Sequence, residues 1–246
     1  MIVREDYKFR QELRVPCYDT DSTFRLKAAA FMDLAQDLAQ YAADSLGFGY
    51  DTLHEQHVTW VLTRMHIHFE DYPLWRDKVF LTTWHKGFNG LFFLRDFLMD
   101  TPEGKNLVRC TSSWVVLDEI ERRMVRPEFL MKKLEVAQFD DAIETPAPKT
   151  ALPRGAEPEK AGEHTVSYSD IDIVGHTNNV RYVVWALDAL DYELVSHHPL
   201  KDVYISFIKE TTQGQRVSLY RLDTPEGWFV EGRVEDKTVF CVRFVF

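Results

Sequence analysis

Two stretches of this 246-residue chain share one helical spacing, and each is followed by strand-like runs, a pattern that restricts the fold more than any other feature. From Phe24 to Leu46 the apolar positions Leu26, Ala30, Phe31, Leu34, Leu38, Tyr41, Ala42 and Leu46 recur at three and four, and Gly47 and Gly49 stop the run. From Asn178 to Leu194 the pattern returns with Tyr182, Trp185, Ala189 and Leu190. Behind each helix lie runs rich in β-branched and aromatic residues, roughly 59–69, 79–85, 91–99 and 107–117 in the first half and 203–208, 217–222, 228–234 and 238–246 in the second. Each half therefore reads as one long helix and then a meander. Sliding the chain on itself by 151 residues sets Asp19 on Asp170, Asp21 on Asp172, Phe31 on Tyr182 and Leu34 on Trp185, which points to a duplication. The expected fold class is α+β, a pair of units whose helices are each buried by a curved antiparallel sheet.

Residues 140–164 carry Pro146, Pro148, Pro153 and Pro158 with few large apolar side chains, and read as an extended linker. The expected division is a unit at 1–139, the proline-rich linker at 140–164 and a second unit at 165–246.

Charge and composition remove several classes of function. A net charge of −10 argues against broad binding to nucleic acid or an anionic membrane. No apolar run approaches the roughly 18 residues of a membrane span, and the opening MIVREDYKFRQEL has no signal-peptide core, so a soluble, cytoplasmic protein is expected. Cys17, Cys110 and Cys241 are widely separated with no C-x-x-C pair, and are expected to be buried packing residues rather than zinc ligands or disulfides. His66 and His68 share a strand face but have no third ligand nearby in sequence, so no metal is expected. The chain lacks G-x-S-x-G, G-x-G-x-x-G and Walker patterns. Against the acidic background, Arg122, Arg123, Arg126, Lys132 and Lys133 stand with a single anion, Glu128, which fits a solvated turn or a docking patch for an acidic partner.

The densest polar cluster ahead of an apolar helix is SDIDIVGHTNNVRYVVWALDAL at 169–190, holding Asp170, Asp172, His176, Asn178 and Asn179. A histidine carries a proton near neutral pH, a carboxylate such as Asp172 fixes its tautomer, and free N–H groups at a helix start polarise a carbonyl. The same spacing also fits a plain N-cap at Asn178 or Asn179 beside a loop histidine. In the first half Arg25 takes the slot of His176. Glu210, where VYISFIKETTQGQRV turns polar, is a second candidate, and an end-of-strand carboxylate of this kind also fits simple solvation.

Taken in order, WVLTRM (60–65), YPLW (72–75) and D-I-D-x-x-G-H-x-N-N-x-x-Y (170–182) make the chain resemble the acyl-acyl carrier protein (acyl-ACP) thioesterases, plant and bacterial hydrolases built as two tandem hotdog units. The resemblance spans nearly the whole chain and implies a tandem hotdog fold with catalytic residues at Asp172, His176 and Glu210. It implies that Glu210, with His176 oriented by Asp172, activates water, while the helix start around Asn178 and Asn179 stabilises the oxyanion. It implies an acyl pocket near Phe31, Leu34 and Leu38 in the first unit, and makes the cationic run from Arg122 to Lys133 a docking face for the acidic carrier protein. No cofactor is implied, and the protein is expected as a monomer or homodimer. Two positions depart from the family pattern: Val174 replaces the usual asparagine of D-x-N-x-H, and Thr211 stands where many members have a cysteine. Acyl-CoA hydrolysis on the same fold, and acyl binding without hydrolysis, are the alternative readings.

Overall fold

The structure, a computed structural model, describes residues 2–5, 7–133 and 141–246, with the side chains of Glu5, Lys132 and Lys133 outside that description. The chain divides into two units, Met1–Ala147 and Pro148–Phe246. The first opens with β1 (Ile2–Glu5) and β2 (Lys8–Arg14), turns at Cys17–Asp19, and continues through α1 (Ala28–Ser45) and α2 (Tyr50–His54). Then come β3 (Val58–Phe69), β4 (Lys78–Asn89), β5 (Phe92–Asp100), β6 (Asn106–Asp118), β7 (Met124–Val125) and α3 (Glu128–Lys133). These strands pair antiparallel in the order β1-β2-β4-β5-β6-β3, with β7 on β6. The second unit runs through β8 (Glu159–Thr165), a turn at Tyr168–Asp170, α4 (Asn179–Asp188), α5 (Tyr192–His197), β9 (Asp202–Phe207), β10 (Arg216–Thr224), β11 (Gly227–Val234) and β12 (Lys237–Val245). Its antiparallel order, β8-β10-β11-β12-β9, repeats β2-β4-β5-β6-β3 of the first.

Helix α1 forms because its small and apolar residues fall on one stripe: Phe31, Ala35, Leu38 and Ala42 are fully buried at steps of four, three and four. It ends where Gly47 takes a φ of 75° and the Phe48 N–H donates to the Ala43 carbonyl at 3.0 Å, a termination that a left-handed glycine makes inexpensive. Phe48 and Ala43 then share one apolar cluster with Leu53, Phe93 and Leu130.

The duplication extends to individual hydrogen bonds. In the first unit the Asp21 N–H donates to the Arg25 carbonyl at 2.9 Å and the Phe24 N–H to the Asp21 carbonyl at 3.1 Å. In the second, 151 residues on, Asp172 and His176 repeat the former at 2.9 Å and Gly175 and Asp172 the latter at 3.1 Å. The position before Arg25 and His176 is left-handed in both, Phe24 at φ 66° and Gly175 at φ 80°. Past the second strand the offset falls to 138: Leu26 N–H to Pro73 carbonyl corresponds to Thr177 N–H to Thr211 carbonyl, both 2.9 Å. The change follows from a shorter helix, ten residues in α4 against eighteen in α1, together with a shorter strand, six residues in β9 against twelve in β3.

Several sequence expectations change. Both helices start later than their apolar spacing suggested, because Lys27 and Asn178 are N-caps and not helical residues; the second also ends earlier, at Asp188, before the separate α5. Neither unit is a simple meander, since the strand after the helix pairs with the last strand. Cys110 and Cys241 are buried, but Cys17 is exposed because it opens a surface turn rather than a strand.

The region 140–164 is not a free linker: Asp140 lies outside the described residues, and the rest is bonded to its own unit at both ends. The Ala142 N–H donates to buried Asp96 at 2.7 Å, and Lys86 donates to the Ile143 carbonyl at 2.6 Å while pairing with Asp96 at 3.2 Å and Asp141 at 3.3 Å. Farther on, the Thr150 N–H donates to Ser206, and 159–165 is strand β8, too polar to betray itself by periodicity. Among the described residues no helix is long and apolar enough to cross a membrane.

Within β4, opposite Arg95 of β5, His85 is 6% exposed and its Nε2 has no partner among the described residues. Burial, reinforced by the neighbouring Arg95 charge, pushes its pKa down to about 3. The folded state thus holds His85 neutral, and between pH 6.5 and about 3 the unfolded chain takes up a proton that the fold refuses. Stability falls with pH across that window by roughly 1.4 kcal/mol per unit from this group. Replacing it, His85→Leu, is expected to remove about 2 kcal/mol of the stability difference between pH 7 and pH 5, as read by urea denaturation of both proteins.

Candidate active site

Residues 171–177 fold back on themselves. Ile171 bridges Thr177, and the turn between them is closed by Gly175, whose left-handed φ suits a residue without a Cβ. The Asp172 carboxylate accepts the Val174 N–H at 3.1 Å, so it holds the turn in place. This delivers His176 to the mouth of α4, while the Thr177–Thr211 bond brings the next residue back, Glu210, alongside it. His176 Nδ1 lies 3.4 Å from Glu210 Oε2, and both side chains are about one-third exposed.

Of the sequence candidates, His176 and Glu210 meet directly. Asp172 acts on the loop: its described side-chain bond goes to Val174 and not to the imidazole that it was expected to orient. Asn178 is the N-cap of α4, its side-chain oxygen accepting the Val180 N–H at 2.9 Å, and Asn179 is the first helical residue. Val174 is 43% exposed on the turn. Phe31 and Leu38 are core residues of the first unit, and Leu34 is half-buried. Arg122, Arg123 and Arg126 flank β7 on the surface; Arg123 pairs with Glu121, and Arg126 lies over the Phe88 ring at 5.8 Å. The side chains of Lys132 and Lys133 are outside the described residues.

The backbone donors at the helix start can be counted. The Thr177 N–H goes to the Thr211 carbonyl, Asn178 to the Asp170 carbonyl at 2.8 Å, Val180 to the Asn178 side chain, and Arg181 to the Asn178 carbonyl at 2.9 Å. From Thr177 to Arg181, the Asn179 N–H alone has no acceptor among the described residues. It is the donor left for a ligand oxygen at the positive end of the helix.

Two further groups of residues hold the surroundings of the pair, and sequence spacing gave a role to neither, although Asp170 was part of the polar cluster. Asp170 is buried and accepts from His164 Nε2 and the Ser167 N–H, both at 2.8 Å, and from Arg181 Nε at 3.2 Å. Burial pushes its carboxyl up, but the bonds from His164, Ser167 and Arg181 outweigh that and hold the pKa below the ordinary aspartate value. The second group is hydroxylic: Thr211 Oγ1 contacts Thr177 Oγ1 at 2.7 Å and the Tyr182 hydroxyl at 3.0 Å. Asp170 stood in the motif as a signal, whereas the hydroxyls are joined across about thirty residues of sequence. Among the described residues, no group of three or more His, Cys, Asp or Glu is arranged to hold a metal ion.

Comparison with known proteins bears on this geometry. Residues 6–131 match the family described as acyl-ACP thioesterase N-terminal domain, and residues 155–236 match its C-terminal domain. Similar curated proteins include the chloroplastic oleoyl-acyl carrier protein thioesterase 2 of Arabidopsis thaliana, 26% identical over 91% of this chain and 65% of that protein. The chloroplastic palmitoyl-acyl carrier protein thioesterase of the same plant is 28% identical over 85% of this chain and 53% of that protein. The chain thus spans under two thirds of the length of these relatives.

Among solved structures, an acyl-ACP thioesterase from Bacteroides thetaiotaomicron superposes with a TM-score of 0.83 at 24% identity, covering 98% of both chains. The 12:0-ACP thioesterase from Umbellularia californica does so with 0.89 at 22% identity, again over 98% of both. These likenesses establish the tandem hotdog, α+β fold expected from the motifs.

Asp170→Asn tests the support of the loop. Its folded-state carboxyl is held low, so its stabilisation is present above the unfolded aspartate pKa and is lost as pH falls through the folded value. The variant is expected to lose about 2–3 kcal/mol at pH 7, and the gap from wild type should narrow in acid, as measured by denaturant unfolding at pH 7 and pH 3.

Proposed function

The chain belongs to the acyl-ACP thioesterase family, and from that premise we propose that it hydrolyses fatty acyl thioesters of acyl carrier protein to free fatty acid and carrier. The observation that carries the proposal is the His176–Glu210 pair at 3.4 Å, set beside the uncommitted Asn179 N–H at the start of α4. In the proposed reaction the pair takes a proton from water as its oxygen attacks the thioester carbonyl carbon. The Asn179 N–H donates to the carbonyl oxygen as it gains charge. Collapse of the tetrahedral intermediate breaks the carbon–sulfur bond, and the proton held by the pair passes to the departing thiolate. Asp172 serves by holding the turn, and no thiol nucleophile is required at Thr211.

Val174 brings no side-chain amide to the turn, so its contribution is its backbone N–H to Asp172. For the acyl chain, Leu34 is the accessible member of the candidate set, since Phe31 and Leu38 are fully buried. The carrier is proposed to dock on the exposed arginines flanking β7, where a locally basic face lies on an acidic chain.

His176→Ala and Glu210→Gln are each expected to lower kcat on acyl-ACP by at least ~100-fold. Wild-type turnover in both would overturn the site, and a clear preference for matched acyl-CoA over acyl-ACP would overturn the carrier assignment. Replacing Arg122, Arg123 and Arg126 together by glutamate is expected to raise KM for acyl-ACP about tenfold or more while leaving kcat on a short acyl thioester unchanged, as steady-state kinetics on both substrates would show.

A further inference from the structure

The catalytic pair sits on a floor of three hydroxyls that the first unit lacks. By the offsets of the duplication, Thr177, Tyr182 and Thr211 correspond to Leu26, Phe31 and Pro73, all buried and all without a polar side-chain atom. The backbone bond between the first and last of these positions is the same in both units, 2.9 Å. What differs is the chemistry around it. Pro73 has no N–H, so its surroundings can be wholly apolar. Thr211 has one, and it donates to the Tyr182 hydroxyl oxygen at 3.0 Å.

Thr211 is 0% exposed, Tyr182 2% and Thr177 4%, so each hydroxyl has given up water and must find its partners inside. They find one another, at 2.7 Å from Thr177 to Thr211 and 3.0 Å from Tyr182 to Thr211. Three apolar side chains would cover the same backbone bond without that desolvation, as the first unit demonstrates. The hydroxyls are placed where they fix a backbone: Thr177 follows His176 and Thr211 follows Glu210. Tyr182 lies one turn into α4 and is held by the Trp185 and Phe240 rings, with centroids 5.2 and 5.0 Å away.

Resting on the hydrolase reading above, we propose that Thr211 is a positioning residue whose hydroxyl, with those of Thr177 and Tyr182, clips the Glu210 backbone to the His176 backbone and sets the separation of the pair. The clip acts through Glu210 and His176 and touches no reacting atom. An apolar residue at 211 keeps both backbone bonds, to the Thr177 N–H and to the Tyr182 hydroxyl, but removes the two contacts of the Thr211 hydroxyl, so the Glu210 carboxylate shifts away from the imidazole.

The test compares Thr211→Val, which keeps the shape and deletes the hydroxyl, with Thr211→Ser, which keeps the hydroxyl. Thr211→Val is expected to lower kcat on acyl-ACP about 10- to 100-fold with KM within about twofold, whereas Thr211→Ser stays within about threefold of wild type. Thr177→Val, which cuts the same clip from the other side, is expected to follow Thr211→Val and serves in its place should that protein not fold. The ring resonances of His176 by NMR give a readout free of substrate: they are expected to move in the valine variants and to stay in place in the serine variant.

A folded valine variant with wild-type kcat and unmoved His176 resonances overturns the clip, as does a serine variant as impaired as the valine. Moved resonances in a protein whose wild type turns over no acyl-ACP would leave the clip standing and sink the hydrolase reading instead.

Discussion

One backbone hydrogen bond, made twice, organises this molecule. In each unit the N–H of the residue that follows the helix-leading turn donates to a carbonyl just beyond the second long strand, Leu26 to Pro73 and Thr177 to Thr211. The bond joins segments 47 and 34 residues apart in sequence and so fixes which side chains meet across the gap. In the first unit these are Arg25 and Tyr72, with the guanidinium 5.3 Å from the ring centroid. In the second they are His176 and Glu210. One scaffold therefore presents a cation–π contact in one copy and a histidine–carboxylate pair in the other, so the two copies differ in their sites rather than in their fold.

The two copies differ in where they accept buried polarity. The first unit places it in the sheet, where Lys86 and Asp96 tie the chain at 141–143 to β4 and β5, and where neutral His85 sits beside Arg95. The second, besides Asp202, Ser206 and Glu231 in its strands, adds a cluster around the helix start: Asp170 with His164 and Arg181, and the three hydroxyls of Thr177, Tyr182 and Thr211. At the matching positions of the first unit stand Leu13 for His164 and Ala30 for Arg181. A buried ion or hydroxyl costs desolvation that an aliphatic residue avoids. Its concentration at the helix start of the second copy, where the first has Leu13, Leu26, Ala30 and Phe31, marks the stretch whose geometry has to be held.

The legible part of this architecture was local or periodic. Helix stripes, strand runs and the spacing from Asp170 to Asn179 are set by neighbours within a few residues, and they were sufficient to anticipate an α+β duplication and the place of His176. Apart from the family resemblance, Glu210 stood out because an alternating run turned polar, and its partner lies 34 residues away. What stayed hidden depended on distant contacts: the pairing of β8 with β10, the pinning of Ala142 on Asp96, and the hydroxyl cluster. Strand β8 is nearly all polar because it lies at the end of its sheet order, so no alternation marks it. Cys17 was misjudged on residue type alone, since a cysteine opening a turn has no strand neighbours to cover it.

The same logic separates what Asp172 does from what His176 does. Both stand in one short motif, yet the turn consumes the Asp172 acceptor on Val174, just as the first unit consumes Asp21 on the Thr23 N–H at 2.7 Å. An acid kept in both copies, with the same partner two residues on, belongs to the turn that both copies need. The imidazole and the Glu210 carboxylate have no such counterpart in the first unit, and neither does the hydroxyl floor under them. Subtracting what the duplicate retains leaves His176, Glu210 and their supports, and beside them the Asn179 N–H that neither the turn nor the helix has claimed.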